Sequence, residues 1–160
     1  MNEPTADVDG NGSVGEAVDE VEELRFRVLN ALAMPIWVAM IVAPRSALTR
    51  RLVRVSDLLL AGYSVAYVGH LLAGLKGQAG APEFSSGAMR RTLGSNSVAF
   101  HAGWIHYLAF DLFVGRWIWA KGLEEGRSTR LALGLTLMAG PAGLGVFAVQ
   151  RRSIRSAPPR

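Results

Sequence analysis

Ionisable side chains inside long apolar segments are where this sequence places its chemistry. His70 lies in one such segment, and His101, His106, Asp111 and Arg116 lie in another. Charged and imidazole groups are expensive in an apolar surrounding, so they face one another or a ligand and become the first candidates for function. Helical spacing sorts them into faces. Tyr63, Tyr67, His70 and Gly74 recur at i, i+4, i+7 and i+11, and Trp104, Tyr107, Asp111 and Gly115 recur at nearly the same spacing. His106, Phe110, Phe113 and Trp117 form a further stripe. If the Tyr-Tyr-His face meets the Trp-Tyr-Asp face, an aromatic-lined apolar pocket holds an acid/base pair, suited to moving a proton on a long lipid-soluble substrate. His106 and Asp111 are five residues apart. That spacing separates them by more than a quarter turn, so they are no simple pair within one helix. The competing role for Asp111 and the histidines is structural, as hydrogen-bonded ties between helices. Arg116 can reach headgroups from a span's end, and the Trp and Tyr clusters can form interfacial belts.

The elements that must position these residues are apolar blocks. Half the residues are hydrophobic and 19% are charged, a balance whose meaning depends on distribution. The apolar residues gather at 24–43, 55–75, 98–119 and 131–149, close to the ~20 residues needed to cross a bilayer core. The reading is an all-α, integral membrane four-helix bundle. The first block is short, contains Pro35 and needs Arg25 and Arg27 to snorkel. Ser56 and Asp57 look like caps for the second. The fourth is rich in glycine, which permits close helix contact. Ahead of them, residues 1–23 are acidic and polar and read as a disordered tail; residues 151–160 form a basic tail. Met89-Arg90-Arg91, in the connector between the second and third blocks, suits a short interfacial helix.

Composition excludes several classes. A formal charge of +4 and a pI near 10.1 could suggest nucleic acid, but the basic residues sit at block ends rather than along a stripe. With no cysteine, disulfides, thiolate metal sites and cysteine nucleophiles are excluded. The acidic start is the reverse of a signal peptide. Asp7 to Gly12 resembles half a calcium loop, but Val18 stands where the bidentate acid belongs. No metal or soluble cofactor is expected, although two histidines on separate spans leave haem as a lesser alternative. Four crossings divide the basic residues almost evenly between the two sides, which leaves orientation open.

The third block also carries a motif. Trp104-Ile-His106-Tyr107-Leu-Ala-Phe110-Asp111-Leu-Phe113-Val-Gly115-Arg116-Trp117 resembles the signature of the abscisic-acid-deficient-four-like membrane proteins. Met34-Pro35-Ile36-Trp37, Ala43-Pro44-Arg45, Thr49-Arg50-Arg51 and Gly140-Pro141-Ala142-Gly143 are similar to its other motifs, in family order. The resemblance implies a four-span membrane protein linked to xanthophyll metabolism, associated in plants with neoxanthin synthesis. The conversion there turns an epoxy-carotenoid into an allene, which needs proton abstraction beside the polyene and protonation of the opening epoxide. His106 and Asp111 are the matching positions for that acid/base work, with Tyr63, Tyr67, His70, Trp104 and Tyr107 against the substrate. The expected partners are the bilayer, a carotenoid or other isoprenoid ligand and a pigment-synthesis enzyme. The arginine-rich, lysine-poor composition suits a high-GC bacterial genome, and the expected location is then a bacterial cell membrane. The alternative is a non-catalytic membrane partner that presents substrate to a separate pigment enzyme.

Overall fold

The computed structural model describes residues 9–76, 85–87 and 97–155, with side chains at 20–74, 85–87 and 97–152. Met89-Arg90-Arg91 and the side chains of the calcium-like segment lie outside the described residues. The described chain is all-α, with no strand among the described residues. Its helices are α1 (Asp9–Val42), α2 (Ala47–Lys76), α3 (Ser97–Glu124), α4 (Arg130–Ala139) and α5 (Pro141–Arg155). Two segments, Glu20–Val42 and Ala47–Gly74, are long and apolar enough to cross a membrane.

Helix α1 buries one stripe. Ala33, Ile36, Trp37 and Met40 are all 5% exposed or less, at the i, i+3, i+4, i+7 spacing that lines one helical face. They pack against Tyr63 of α2, Ile105, Leu112 and Ile118 of α3, Ala132 and Leu133 of α4 and Phe147 of α5. Gly115 is required here because the Trp37 ring occupies the space a Cβ would take. The helix begins at Asp9 and runs through Pro35, so residues 9–23, expected as a disordered tail, continue it. Glu22 in this extension accepts a hydrogen bond from Ser97 Oγ at 2.9 Å, and Phe26 packs on Trp104.

The second helix starts eight residues before the expected block. Ser46, not Ser56, caps it, accepting the Thr49 N–H at 3.0 Å as an N-cap does. Buried Thr49 returns a hydrogen bond to Ala43 O at 2.7 Å, closing the turn. Ser56 instead bonds Val53 O within the helix, and Asp57 pairs with Arg116 at 2.6 Å. Trp119 Nε1 donates to Pro44 O at 2.9 Å, tying the end of α3 to this turn.

The largest correction concerns 131–149. It is not one span but two helices, broken at Gly140 (φ +46°) and Pro141. The second folds back antiparallel on the first. Gly143 of α5 lies so close to Ala132 O and Thr136 N of α4 that a Cβ there has no room. At the open end of the hairpin, Arg127 donates to Gln150 O at 2.7 Å, and Arg151 pairs with Glu125 at 2.8 Å. A break is expected physically, because proline lacks an N–H and clashes with the preceding turn, while glycine tolerates positive φ. The ten residues of α4 rise about 15 Å, and the tip stops beside Asp111, midway along α3.

Candidate functional site

Three faces of α3 carry the candidate residues, each toward a different neighbour. The first faces α1 and the hairpin tip. Tyr107 and Asp111 are one turn apart on this face. A Cβ on Gly140 would stand 3.1 Å from Asp111 Oδ1 and 3.3 Å from Oδ2. The hairpin tip is therefore held against the carboxylate, and only glycine suits both the contact and the backbone angle there. One turn before Tyr107, Trp104 stacks between Phe26 of α1 at 5.1 Å and Tyr107 at 5.3 Å, with Phe100 at 6.3 Å. Because α4 and α5 stop at Asp111, no described helix covers this aromatic wall above the tip. A cavity of about 350 Å³, lined by Glu22, Glu23, Phe26, Phe100 and His101, opens at its upper end. From Phe100 to Asp111 the wall is about 16 Å long.

Two polar atoms on this face are buried without a hydrogen-bond partner: Trp104 Nε1, a donor, and Asp111 Oδ2, an acceptor. Such groups are costly unless something satisfies them, so they mark where a ligand's oxygen and a proton donor belong.

The second face meets α2. His70 and His101 have ring centroids 6.0 Å apart. Each ring's Nδ1 bonds the carbonyl one turn back, His70 to Ala66 O and His101 to Ser97 O, both at 2.8 Å. A carbonyl only accepts, so Nδ1 carries the proton and Nε2 is left as the acceptor. His101 Nε2 is buried and unpaired. The two imidazoles border a cavity of about 370 Å³ with Glu22, Arg25 and the small residues Ala66, Gly69 and Ala73. The third face is exposed. His106 stacks on Phe110 at 4.4 Å and lies 5.6 Å from Tyr67. Next to Phe110 a groove of about 270 Å³ runs between Leu60, Ser64, Ala109 and Phe113.

The expected meeting of the Tyr-Tyr-His and Trp-Tyr-Asp faces does not occur. Tyr67 and His70 meet His106 and His101, while Trp104, Tyr107 and Asp111 turn toward Phe26 and Gly140. His106 and Asp111 stand about 140° apart around α3, so they do not work on one atom. Tyr63 belongs to the core: it is 1% exposed, and its hydroxyl donates to Leu29 O at 2.6 Å. Tyr63→Phe loses that bond, and thermal unfolding in detergent will show a loss of about 1 kcal/mol, with bound ligand unchanged. Sequence reasoning missed Phe26, Phe100 and Gly140 as parts of the site. For Gly140 a signal existed, since a Gly-Pro pair breaks a helix; for the phenylalanines none did. Among the described residues no three His, Asp or Glu side chains converge as a metal site.

A family model described as ABA DEFICIENT 4-like matches residues 24–147, an interval that contains every candidate residue above except Glu22 and Glu23. The chain is also similar to the protein ABA DEFICIENT 4, chloroplastic, of Arabidopsis thaliana, with 29% identity over 126 residues. That alignment covers 74% of this chain and 56% of the relative, so the chain spans about half of that protein's length. No solved structure matches.

Proposed function

The chain belongs to the ABA DEFICIENT 4-like family, and from that premise we propose that it is a multi-pass membrane protein of carotenoid metabolism. In this reading it binds a polyene along the aromatic wall above the hairpin tip. The observation that carries the proposal is the chemistry of this wall: Phe26, Phe100, Trp104 and Tyr107 lead to an Asp111 carboxylate oxygen that lacks a partner. Embedding in lipid is supported by the outer surface. Leu58 and Val65 are 75% exposed and Met138 is 79% exposed, and large apolar side chains turned outward in this way suit hydrocarbon rather than water.

A polyene is long, apolar and flat, and aromatic faces suit it along its length. The unpaired donor Trp104 Nε1 fits an oxygen on the polyene's end group. Asp111 then acts as the base that takes a proton from carbon beside the polyene. Tyr107, one turn away on the same face, supplies a proton to the oxygen released when an epoxide opens. One C–H and one C–O bond break, one carbon–carbon π bond and one O–H form, and the product is an isomer needing no oxidant. Return of the proton from Asp111 to Tyr107 restores both groups.

A second reading is favoured by the contact of Asp111 with Gly140: the carboxylate pins the hairpin, and the aromatic wall presents pigment to a separate enzyme. Both readings require bound polyene. Purified from a host that accumulates epoxy-carotenoids, the protein will carry a visible polyene absorption band. Trp104→Ala, which removes the centre of the wall, will retain about tenfold less pigment. A colourless wild-type preparation from pigmented membranes would sink both readings.

A further inference from the structure

The folding-back of α5 moves the end of the chain to a side that four crossings would not reach. Gln150 and Arg151 lie against Arg127 and Glu125, and Arg130 donates to Val42 O at the α1–α2 turn. Arg151 and Arg152 therefore share one end of the bundle with Arg45, Arg50, Arg51 and Arg54. The acidic side chains at this end are already paired: Asp57 with Arg116, Glu124 with Lys121, and Glu125 with Arg127 and Arg151. Arg45, Arg51 and Arg54 are exposed and pair with no described acidic side chain. The opposite end has the acidic start of α1, where Glu20, Glu22 and Glu23 are described, with Arg25, Arg27 and, at the end of α2, Lys76.

We propose that this arginine-rich end is the surface that lies against the anionic headgroups of the cytoplasmic leaflet. The chain then crosses the membrane three times, through α1, α2 and α3, and α4–α5 is a re-entrant hairpin. Lysines and arginines near span ends set orientation, and acidic residues contribute little to it. The cytoplasmic leaflet is the negatively charged one, so exposed guanidiniums beside span ends are attracted to it. Three crossings place the acidic N-terminal segment outside and the C-terminal tail inside. The hairpin satisfies its own backbone by hydrogen bonds even at its tip: buried Gly140 donates its N–H to Thr136 O and accepts from Gly143 N–H, and Pro141, which is exposed, has no N–H to satisfy, which is the condition for a turn at membrane depth.

The inference rests on the membrane reading above, and the test separates the two. Because the chain has no cysteine, single-cysteine variants Asn2→Cys, Ser128→Cys and Ser156→Cys report position cleanly with a membrane-impermeant maleimide. In bacterial spheroplasts Asn2→Cys will label, while Ser128→Cys and Ser156→Cys will label only in inverted vesicles. Labelling of Asn2→Cys and Ser156→Cys from the same side would overturn the three-crossing topology. Labelling of all three on the opposite sides to those stated would overturn the assignment of the arginine-rich end. Replacing Arg45, Arg51 and Arg54 together by Gln will raise the inverted fraction several-fold; an unchanged orientation would show that these guanidiniums do not hold the leaflet. A chain released from the membrane by carbonate wash would instead fail the membrane reading itself.

Discussion

Gly143→Ala will lower the thermal midpoint of the purified protein by on the order of 10 °C, equivalent to about 3 kcal/mol, while Gly145→Ala leaves it unchanged or slightly raised. Both positions are glycines in the first turns of α5, so helix propensity favours alanine equally at each. They differ in what surrounds them. A Cβ at Gly145 meets nothing within 4 Å, whereas at Gly143 it meets Ala132 O and Thr136 N. Those two are backbone atoms of α4 and cannot rotate away. Thr136 Oγ1 is held by its own bond to Ala132 O at 2.9 Å, so it has little freedom to yield. The two helices of the hairpin must separate, and the burial of Leu133 and Phe147 is lost with them. Unfolding followed by tryptophan fluorescence in detergent is the direct measurement. Equal midpoints for the two variants would show that α4 and α5 do not pack as a hairpin. The same opening would withdraw Gly140 from Asp111, so Gly143→Ala should also reduce whatever activity depends on the site.

Asp111→Asn is the second large effect, and it falls on chemistry rather than on folding. Asparagine has the same shape and still fits against Gly140. It cannot take a proton from carbon. If the acid/base proposal holds, turnover of an epoxy-carotenoid falls by about 10²- to 10⁴-fold, with the thermal midpoint and the bound polyene retained. Tyr107→Phe should fall in the same direction, because it removes the proton donor and leaves the ring stack with Trp104. Wild-type turnover in Asp111→Asn would eliminate proton abstraction by this carboxylate. Loss of the fold together with activity would favour the pinning role, in which the carboxylate serves the hairpin.

Much of this molecule is legible in its residues taken one after another. The apolar blocks, their flanking arginines and the stripe Ala33, Ile36, Trp37 and Met40 follow from periodicity, because a helix presents every third or fourth residue to one side. The aromatic and ionisable residues of α3 stand out as candidates by their spacing, and the motif they form agrees with the family established for residues 24–147. Grouping Trp104, Tyr107 and Asp111 on one face needed only helical geometry.

What that face meets could not be read along the chain. Hydropathy counts apolar residues but carries no direction, so 131–149 looks the same whether it crosses or turns back. The Gly140–Pro141 pair signals a break; reversal is decided by Gly143 seating on Ala132 and Thr136, a contact between segments about ten residues apart. The rotation of each helix about its axis is likewise settled by long-range fits. Trp37 fills the space over Gly115, and Tyr63 reaches Leu29 O, which together send His106 to the exterior and Asp111 to the hairpin tip. The residue types and their spacing within one helix were determined by the sequence alone. Their partners across helices were decided by tertiary packing, because steric fit between side chains on separate helices has no local signature.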